Sequence, residues 1–256
     1  MDNVITKVDV FPSYADGFLF AWHVSDAFNV VPPWTFHVEQ APAISGPWKD
    51  ISGPIVNAYF FKEKNRRLIN KSSVLYFRVV LHAGDDVYFS SVVQPYGDLD
   101  RKDFLIAREI MRKEILHMKG MAGVACSLYS LVTFGPPCVE CRDPITGDIR
   151  FADCHKCFGT GRLMPYNGPY DTWMTFSEDN QHVAEDQGVG TFEHRVFNVR
   201  IVSNIVAKKN DVIVDRGSDK RYYVNRAATV AEIRRIPIVQ MLSVREAPVS
   251  DKIYRI

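Results

Sequence analysis

The sequence predicts a mainly β protein with one long helix near its middle. Short apolar runs, rich in aromatic and β-branched residues, alternate with Gly/Pro turn signals over residues 3–95, and such runs return from residue 195 onward. Aromatic residues make up 12% of the 256 residues, with 16 Phe and 11 Tyr, and aromatic side chains favour strands. Residues 98–121, in contrast, repeat apolar side chains at helical spacing.

Four segments in the N-terminal part predict strands of a β-sandwich. They are GFLFAWHV (17–24), WTFHVEQA (34–41), SSVLYFRVVLHA (72–83) and DVYFSSVVQ (86–94). In the second of these, the polar residues alternate with Phe36 and Val38, so we expect one polar and one buried face. Pro- and Gly-containing turns separate the segments, as short antiparallel strands require.

The order of landmarks in this region resembles a fibronectin type III module. Trp22 stands where that family buries a tryptophan of its second strand, and SGPWKDIS (45–52) resembles the crossing that follows its third strand. VLYFRVVL (74–81) resembles its tyrosine-corner strand, with Tyr76 and Arg78 in the corresponding positions. The resemblance implies a fibronectin III-like β-sandwich at the N-terminal end of the chain.

The stretch DLDRKDFLIAREIMRKEILHMKGM (98–121) predicts a linking helix of about five turns. Its apolar stripe consists of Phe104, Ala107, Met111, Ile115 and Met118, widened by Ile106, Ile110 and Leu116. Asp100 is the expected N-cap, and the carboxylate of Asp103 interacts favourably with the helix dipole. The helix therefore needs one buried side along its length.

Four of the five cysteines form two Cys-x-x-Cys pairs, Cys138 with Cys141 and Cys154 with Cys157, separated by twelve residues. Zinc takes four ligands in a tetrahedron, and thiolate is its commonest structural ligand. The sequence between the pairs contains Asp, Pro and Gly, which fits a hairpin that brings both pairs to one ion. Because four thiolates leave no open coordination position, we expect a structural Zn²⁺ ion and no catalytic metal.

Other interpretations of the same cysteines are disulfides in an oxidising compartment, redox-active pairs, or coincidence. The N-terminus shows no basic start followed by an apolar core, so we expect no secretory signal, which favours metal over disulfides. His155 could replace a thiolate as ligand, but it lies between two better-spaced cysteines. Cys126, in an apolar stretch, is expected to be a buried small hydrophobic residue.

The second pair continues as CHKCFGTGRL (154–163), which resembles the knuckles of J-domain co-chaperone zinc modules and rubredoxin-like zinc ribbons. The resemblance implies a zinc ribbon over residues 136–162 and no chaperone activity. Gly159 and Gly161 are expected to adopt positive φ and to let backbone amides approach the sulfurs. The ribbon's four basic and four acidic side chains cancel, which disfavours nucleic-acid binding by this element.

The strand-rich C-terminal part predicts a small antiparallel β-barrel. DRGSDK (215–220) predicts a hairpin loop, whereas FSEDNQHVAEDQGVGTFEH (176–194) predicts a polar loop. Residues 195–235 hold ten basic against four acidic residues, an excess that predicts either a face for DNA or an acidic partner, or a solvated surface. The basic residues are Arg195, Arg200, Lys208, Lys209, Arg216, Lys220, Arg221, Arg226, Arg234 and Arg235.

The C-terminal segment, residues 210–256, reads NDVIVDRGSDKRYYVNRAATVAEIRRIPIVQMLSVREAPVSDKIYRI. It is similar to the small β-barrel proteins of the head-to-tail connector, or neck, of tailed bacteriophages, and to related tail-completion proteins. The resemblance implies a virion structural protein, assembled in the host cytoplasm, that forms a homo-oligomeric ring joining portal or head to tail. Its implied partners are other phage neck, portal or tail proteins, with non-specific contact to the DNA that passes through the ring.

Composition and motifs narrow the function classes further. The net charge is +1, and no run of about 18 apolar residues is present, so we expect no membrane partner. The sequence shows no phosphate-binding loop, dinucleotide fingerprint or nucleophile elbow, and we expect no enzyme. The alternative function is a soluble zinc-ribbon nucleic-acid-binding protein, and a more distant one is an enzyme with an unrecognised site.

The predicted domain organisation has three parts. A fibronectin III-like β-sandwich occupies residues 1–97, a linking helix occupies 98–122, and a connector-type β-barrel domain occupies 123–256 and carries the zinc ribbon at 136–162.

Overall fold

A computed structural model describes residues 4–13, 17–25, 33–56, 58–63, 75–94, 100–143, 145–186, 191–202, 205–233 and 236–256. These residues form a mainly β protein with one α-helix, which confirms the predicted class. The elements are β1 (Ile5–Ser13), β2 (Gly17–Val24), β3 (Thr35–Ala41), β4 (Lys49–Asp50), β5 (Ile55–Val56), β6 (Phe60–Lys62), β7 (Tyr76–Ala83), β8 (Asp86–Phe89), α1 (Arg101–Gly120), β9 (Val124–Leu131), β10 (Tyr166–Asp186), β11 (Thr191–Val202), β12 (Val212–Asp215), β13 (Arg221–Ile233), β14 (Ile236–Glu246) and a 3-10 helix (Lys252–Arg255).

The eight N-terminal strands form two antiparallel sheets. One sheet has the order β1-β2-β6, and the other has the order β4-β3-β7-β8 with β5 paired to β3. In the second sheet β3 pairs with β7 along its whole length, with Val38 opposite Val79. As expected from the alternation in β3, Phe36 and Val38 are buried and the polar residues between them are partly exposed.

The two sheets share one aromatic core. The rings of Phe20 on β2 and Phe77 on β7 lie edge to face at 4.9 Å between centroids. Trp22 on β2 and Phe36 on β3 lie 5.3 Å apart, and both are fully buried. Each such ring buries a large apolar area, and edge-to-face pairs add specificity to that burial. These contacts explain why aromatic residues are concentrated in this part of the chain.

Helix α1 begins and ends close to the predicted positions. The carboxylate of Asp100 accepts a hydrogen bond from the backbone N–H of Asp103 at 2.9 Å, which is the expected N-cap. Of the predicted stripe, Ala107, Met111, Ile115 and Met118 are buried, and the side chain of Phe104 lies outside the described residues.

The predicted widening of this stripe is wrong. Ile106, Ile110 and Leu116 are 44%, 39% and 51% exposed, so they do not widen the buried side of α1. Leu105 is 44% exposed as well. The helix therefore presents apolar side chains to solvent, where an amphipathic helix of a monomer usually carries polar ones.

Six strands close a C-terminal barrel in the order β10-β11-β14-β13-β12-β9, which confirms the predicted small antiparallel barrel. The hairpin β12–β13 pairs Val212 with Tyr223 around the predicted turn at residues 215–220. Inside the barrel, apolar side chains such as Val199 and Leu242 are fully buried. Each strand has two hydrogen-bonded neighbours in such a barrel, so no sheet edge is left open at its waist.

The predicted polar loop at residues 176–194 is largely strand. β10 extends to Asp186 and β11 starts at Thr191, and the two pair from Met174 opposite Ile201 to Asp186 opposite Thr191. The partner strand β14 pairs with β11 only from Val196 onward. The end of the β10–β11 hairpin is thus a two-stranded ribbon beyond the barrel. Backbone pairing between two strands does not require an alternating apolar sequence, so the polar composition of this segment indicated a loop.

The chain divides into two compact units, each formed by residues that contact one another more than they contact the rest. The first unit consists of residues 1–104 and 132–167, and the second of residues 105–131 and 168–256. The cysteine module belongs to the first unit and α1, apart from its first residues, to the second.

No helix in the described part of the chain combines the length and the apolar character needed to cross a membrane. Residues 64–71 and the predicted basic residues Arg234 and Arg235 lie outside the described residues.

Candidate metal centre

A short antiparallel ladder closes the base of the cysteine module. The N–H of Cys138 donates to the carbonyl of Gly161 at 2.9 Å, and the N–H of Leu163 donates to that of Pro136 at 3.0 Å. Further from the cysteines, the N–H of Val132 donates to the carbonyl of Pro165. The two Cys-x-x-Cys turns therefore rise from neighbouring strands, so that their side chains converge.

The four sulfurs form one buried cluster, with every pair of Sγ atoms within 4.8 Å. The Sγ atoms of Cys138 and Cys154 lie 3.8 Å apart, and those of Cys141 and Cys157 lie 3.1 Å apart. A tetrahedral zinc site with Zn–S bonds of about 2.3 Å requires S···S distances of about 3.8 Å. A disulfide requires about 2.05 Å, and all four cysteines are free. The donor set and its spacing fit one metal ion.

Burial and hydrogen bonds shift the pKa values of three of the thiols, and not all in the same direction. Burial raises the pKa of the Cys138 and Cys141 thiols. Burial also opposes ionisation of Cys154, but N–H groups of Cys157 and Lys156 donate to its sulfur, and its pKa falls to about 7. Since thiolates are the metal ligands, binding of an ion displaces the remaining thiol protons, and metal affinity rises with pH.

The linker between the two pairs is a hairpin, as its turn residues indicated. The N–H of Asp143 donates to the carbonyl of Asp148, and the N–H of Arg150 donates to that of Cys141. The carboxylate of Asp143 accepts from the N–H groups of Ile145 and Thr146. This Asx-type turn fixes the tip without any hydrophobic core of its own.

Both glycines that follow the second pair adopt the predicted conformation, with φ of 74° at Gly159 and 72° at Gly161. A Cβ at Gly161 would lie 3.1 Å from the side chain of Ile149. The second knuckle thus needs glycine for its backbone conformation and, at Gly161, also for space.

The module is anchored on the N-terminal sheets of its own unit by Phe134. The ring of Phe134 stacks on His23 at 4.3 Å and lies 5.0 Å from the ring of Tyr59. The guanidinium of Arg162 donates to the carbonyl of Gly135 at 2.6 Å, next to this contact. The cluster therefore has a rigid support on one side, and the hairpin tip projects from it.

Two ion pairs lie within the ribbon. Arg150 donates to the carboxylate of Asp143 at 2.5 Å, and Lys156 lies 2.5 Å from that of Glu140. Hydrogen bonding from Lys156 holds the pKa of the Glu140 carboxyl below its usual range. This pairing leaves few cations for phosphate groups, which agrees with the weak case for nucleic-acid binding made from composition.

The remaining sequence-predicted residues lie apart from the cluster. His155 is exposed and is not among the clustered ligands. Cys126 is fully buried on β9, where burial raises its pKa to about 12, so it is the small hydrophobic residue expected. Among the described residues, the four cysteines are the one group of three or more Cys, His, Asp or Glu side chains placed to hold a metal.

The predicted basic residues on the barrel are not one uniform surface. Four of them are close to carboxylates: Arg200 lies 2.8 Å from Glu114, Lys220 lies 2.8 Å from Glu246, Arg216 lies 3.7 Å from Asp171, and Arg221 lies 3.7 Å from Asp219. The exposed members without a carboxylate within 4 Å among the described side chains are Arg195, Lys208, Lys209 and Arg226.

Arg221, also predicted to face a partner, is buried. Its guanidinium donates to the carbonyls of Ile253 and Ile256 and lies over the ring of Tyr254 at 5.0 Å. This side chain ties the C-terminal residues to the barrel, so it is not available to a polyanion. Its neighbours come from about 30 residues further along the chain, and the local sequence gave no signal of them.

Several large apolar side chains of the ribbon are exposed, which the sequence did not predict. Val139 is 84%, Ile145 is 93%, Ile149 is 45% and Phe151 is 61% exposed. These four apolar residues stand among the turn-forming residues of a small module, and that is the signal that could have indicated their exposure, because such a module has little core to bury them.

No known family model matches this chain, and neither does any curated protein.

Proposed function

We propose that this protein is a structural component of the neck, or connector, of a tailed bacteriophage, where several copies form a ring that joins portal or head to tail. The segment that resembles neck proteins builds β12, β13 and β14, which are consecutive along the chain and adjacent in the barrel, and the C-terminal 3-10 helix. A closed barrel offers a rigid body with few exposed sheet edges, which suits a subunit held between neighbours.

The observation that carries this proposal is the two-stranded ribbon beyond the barrel. Five residue pairs, from His182 opposite Arg195 to Asp186 opposite Thr191, continue the β10–β11 hairpin past the first β11–β14 pair. A two-stranded hairpin is at best marginally stable in water by itself. Such an arm gains stability from contact with a further surface, and a neighbouring subunit of a ring supplies one.

In this proposal the clustered cysteines hold a structural Zn²⁺ ion. Cys138, Cys141, Cys154 and Cys157 would supply four thiolates, and the ion would supply a cross-link between the two turns of a ribbon that has no other core. With four protein ligands the coordination shell is full, so the ion would take no part in hydrolysis. No enzymatic activity is proposed for the chain.

The N-terminal sheets support a fibronectin III-like module that braces or decorates the outside of the ring. Strands β1, β2 and β6 form one sheet, and β3, β4, β5, β7 and β8 form the other, and two antiparallel sheets support this proposal. Trp22 is fully buried on the second strand, as the resemblance implies. The module would add contact area to the assembly without adding chemistry.

Contact with passing DNA would be non-specific and weak. It would depend on exposed cations such as Arg195, Lys208, Lys209 and Arg226, since the other described members of the basic set are paired or buried. Few available cations give a shallow dependence of binding on salt.

The test is the location of the protein. Mass spectrometry of purified virions should detect the chain in several copies per particle, and antibody labelling should place it between head and tail. If particles lack the chain, the proposal is wrong. Tight, steeply salt-dependent DNA binding by the isolated monomer would instead support the nucleic-acid-binding alternative.

A further inference from the structure

A hollow of about 450 Å³, which we call the α1 hollow, lies between α1 and the outer face of the barrel, within the second compact unit. Thr175 on β10 and Arg200 on β11 are opposite each other in the strand ladder. Their neighbours Met174 and Ile201 are buried, so the side chains of Thr175 and Arg200 point away from the barrel interior. The α1 hollow is bordered by Lys113, Glu114, His117, Met118, Thr175 and Arg200.

Most of the bordering side chains are hydrogen-bond donors. The Nη2 of Arg200 donates to the carboxylate of Glu114 at 2.8 Å, which uses one of the five N–H groups of a guanidinium and holds this side chain at the hollow. Lys113 and His117 are four residues apart, so they lie on one side of the helix and offer an ammonium and an imidazole N–H. Thr175 adds a hydroxyl. Donors from one helix and two strands therefore border the same space.

The α1 hollow carries more positive than negative charge. Glu114 is matched by Arg200, and the ammonium of Lys113 lies 3.9 Å from the carboxylate of Glu109. That carboxylate also lies 3.4 Å from Arg112, so one negative charge is shared by two cations. Exposed pairs at such distances are weak, and Lys113 is 73% exposed, which leaves its charge available to an anion.

A further cation reaches the same strands. The ammonium of Lys119 lies 5.8 Å from the ring centroid of Trp173, which is two residues before Thr175 and on the same face of β10. Between residues 108 and 119 the helix carries four Lys and Arg residues against two Glu, and Arg200 adds a fifth cation. An anion that enters the hollow therefore meets a positive potential.

We propose that the α1 hollow binds a phosphate group. The oxygens of a phosphate accept hydrogen bonds in a tetrahedral arrangement, which suits donors from a helix and two strands, whereas a carboxylate accepts in one plane. The guanidinium fork of Arg200 matches phosphate geometry, and Lys113 adds a compact charge. The phosphate is either a free ion or part of a nucleic-acid backbone. The site depends neither on a ring nor on a virion, so it goes beyond the proposed function.

The experiment uses the full-length chain and two probes, one for each source of phosphate. Isothermal titration measures the binding of inorganic phosphate, and fluorescence anisotropy measures the binding of a labelled DNA duplex at several salt concentrations. Lys113→Gln/Arg200→Gln removes two cations of the hollow. The matched control, Lys102→Gln/Arg255→Gln, removes two exposed cations that do not border it, so both variants have the same net charge. Circular dichroism checks that each variant is folded.

The wild type and the control should bind a probe equally well, and Lys113→Gln/Arg200→Gln should bind it about tenfold more weakly, because two charged contacts are lost. Glu114→Gln should bind about threefold more tightly, since its amide oxygen can still accept from Arg200 while the repelling charge is gone. A loss seen with inorganic phosphate alone assigns the hollow to a free phosphate. A loss seen with DNA, together with a salt slope lower by about 1, assigns it to the backbone.

The proposal is overturned if neither probe binds the wild type with a Kd below about 10 mM. It is also overturned if the double variant binds both probes like its control, or if Glu114→Gln weakens binding. An acidic peptide that binds in a variant-dependent way, while neither phosphate probe does, would show that the hollow takes protein carboxylates instead. None of these results bears on whether the chain is found in virions, which mass spectrometry of particles decides separately.

Discussion

Tyr59 and Gly135 meet where the cysteine module joins the N-terminal sheets. The Tyr59 hydroxyl is buried and has no hydrogen-bond partner among the described residues. A Cβ at Gly135 would lie 2.5 Å from that hydroxyl oxygen, and the φ of Gly135 is 95°. A buried polar group without a partner costs stability, and a side chain at positive φ is strained.

We therefore expect Tyr59→Phe to leave stability unchanged or to raise it by about 1 kcal/mol. Gly135→Ala should lower the free energy of unfolding by about 2 kcal/mol or more. The double variant should lose less than the sum of the two changes, since the clashing oxygen is gone. Urea unfolding of the four proteins measures this cycle. Strict additivity would show that the two residues do not meet.

Asp211 determines a pH dependence of stability within the barrel. Its side chain is fully buried, and burial raises its pKa from 3.8 to about 6, although the N–H groups of Leu131 and Lys208 donate to it. The folded state thus binds this proton more tightly than the unfolded state. The resulting stabilisation is complete below pH about 4 and is lost as the pH rises through about 6.

Asp211→Asn removes this titration. The unfolding free energy of the wild type, minus that of the variant, should fall by up to about 3 kcal/mol between pH 4 and pH 7. Urea unfolding at several pH values gives the difference directly. A difference that stays constant over this range would contradict the assignment.

At the scale of elements, α1 depends on its N-cap. The Asp100 carboxylate satisfies the N–H of Asp103, one of the donors that the first helical turn leaves without an intrahelical partner. Asp100→Ala should therefore cost about 1 kcal/mol of stability. Asp100→Asn is the matched control, because its amide oxygen can still accept the bond, and it should cost only a few tenths of a kcal/mol. Equal losses in thermal unfolding would exclude capping.

The β10–β11 hairpin shows how pairing and composition can disagree within one element. Its barrel part buries Met174 and Val199, whereas residues 182–186 pair with residues 191–195, which precede the first described pair between β11 and β14. Polar residues are sufficient for the pairing of residues 182–186 with residues 191–195, because backbone hydrogen bonds between two strands do not require a buried face. The same element thus has a predictable half and a half whose sequence is typical of a loop.

At the scale of the whole molecule, we expect one zinc ion per chain and a local effect of its removal. Chelation should free the backbone of residues 138–162, because this module has no apolar core beyond its four sulfurs and the partly buried Leu163. The barrel lies in the other compact unit and should keep its amide protection. Hydrogen exchange read by mass spectrometry, with and without chelator, measures both regions.

Cys138→Ser should reproduce the chelated state, and Cys126→Ala should retain a full equivalent of metal, since Cys126 is buried in the barrel strand β9. Elemental analysis of the purified chain gives the stoichiometry. Material that contains no metal while amides of the ribbon are protected would show that the sulfurs have another role.

The sequence by itself determined the features that depend on near neighbours. Runs of apolar, aromatic and β-branched residues placed β2 and β7, and alternation placed β3. Spacing and a capping aspartate placed α1, and the Cys-x-x-Cys spacing identified the four sulfurs that come together. Each of these signals lies within a few residues, because helix periodicity, strand alternation and a two-residue metal knuckle are local geometries.

Only the tertiary structure decided which distant segments share an environment. It grouped residues 132–167 with the N-terminal sheets, buried Arg221 against the C-terminus, and left Ile106, Ile110 and Leu116 in solvent. The type of a residue does not specify which carbonyl or ring from far along the chain lies beside it. That information depends on how the elements pack, and packing involves pairs of residues that no local pattern connects.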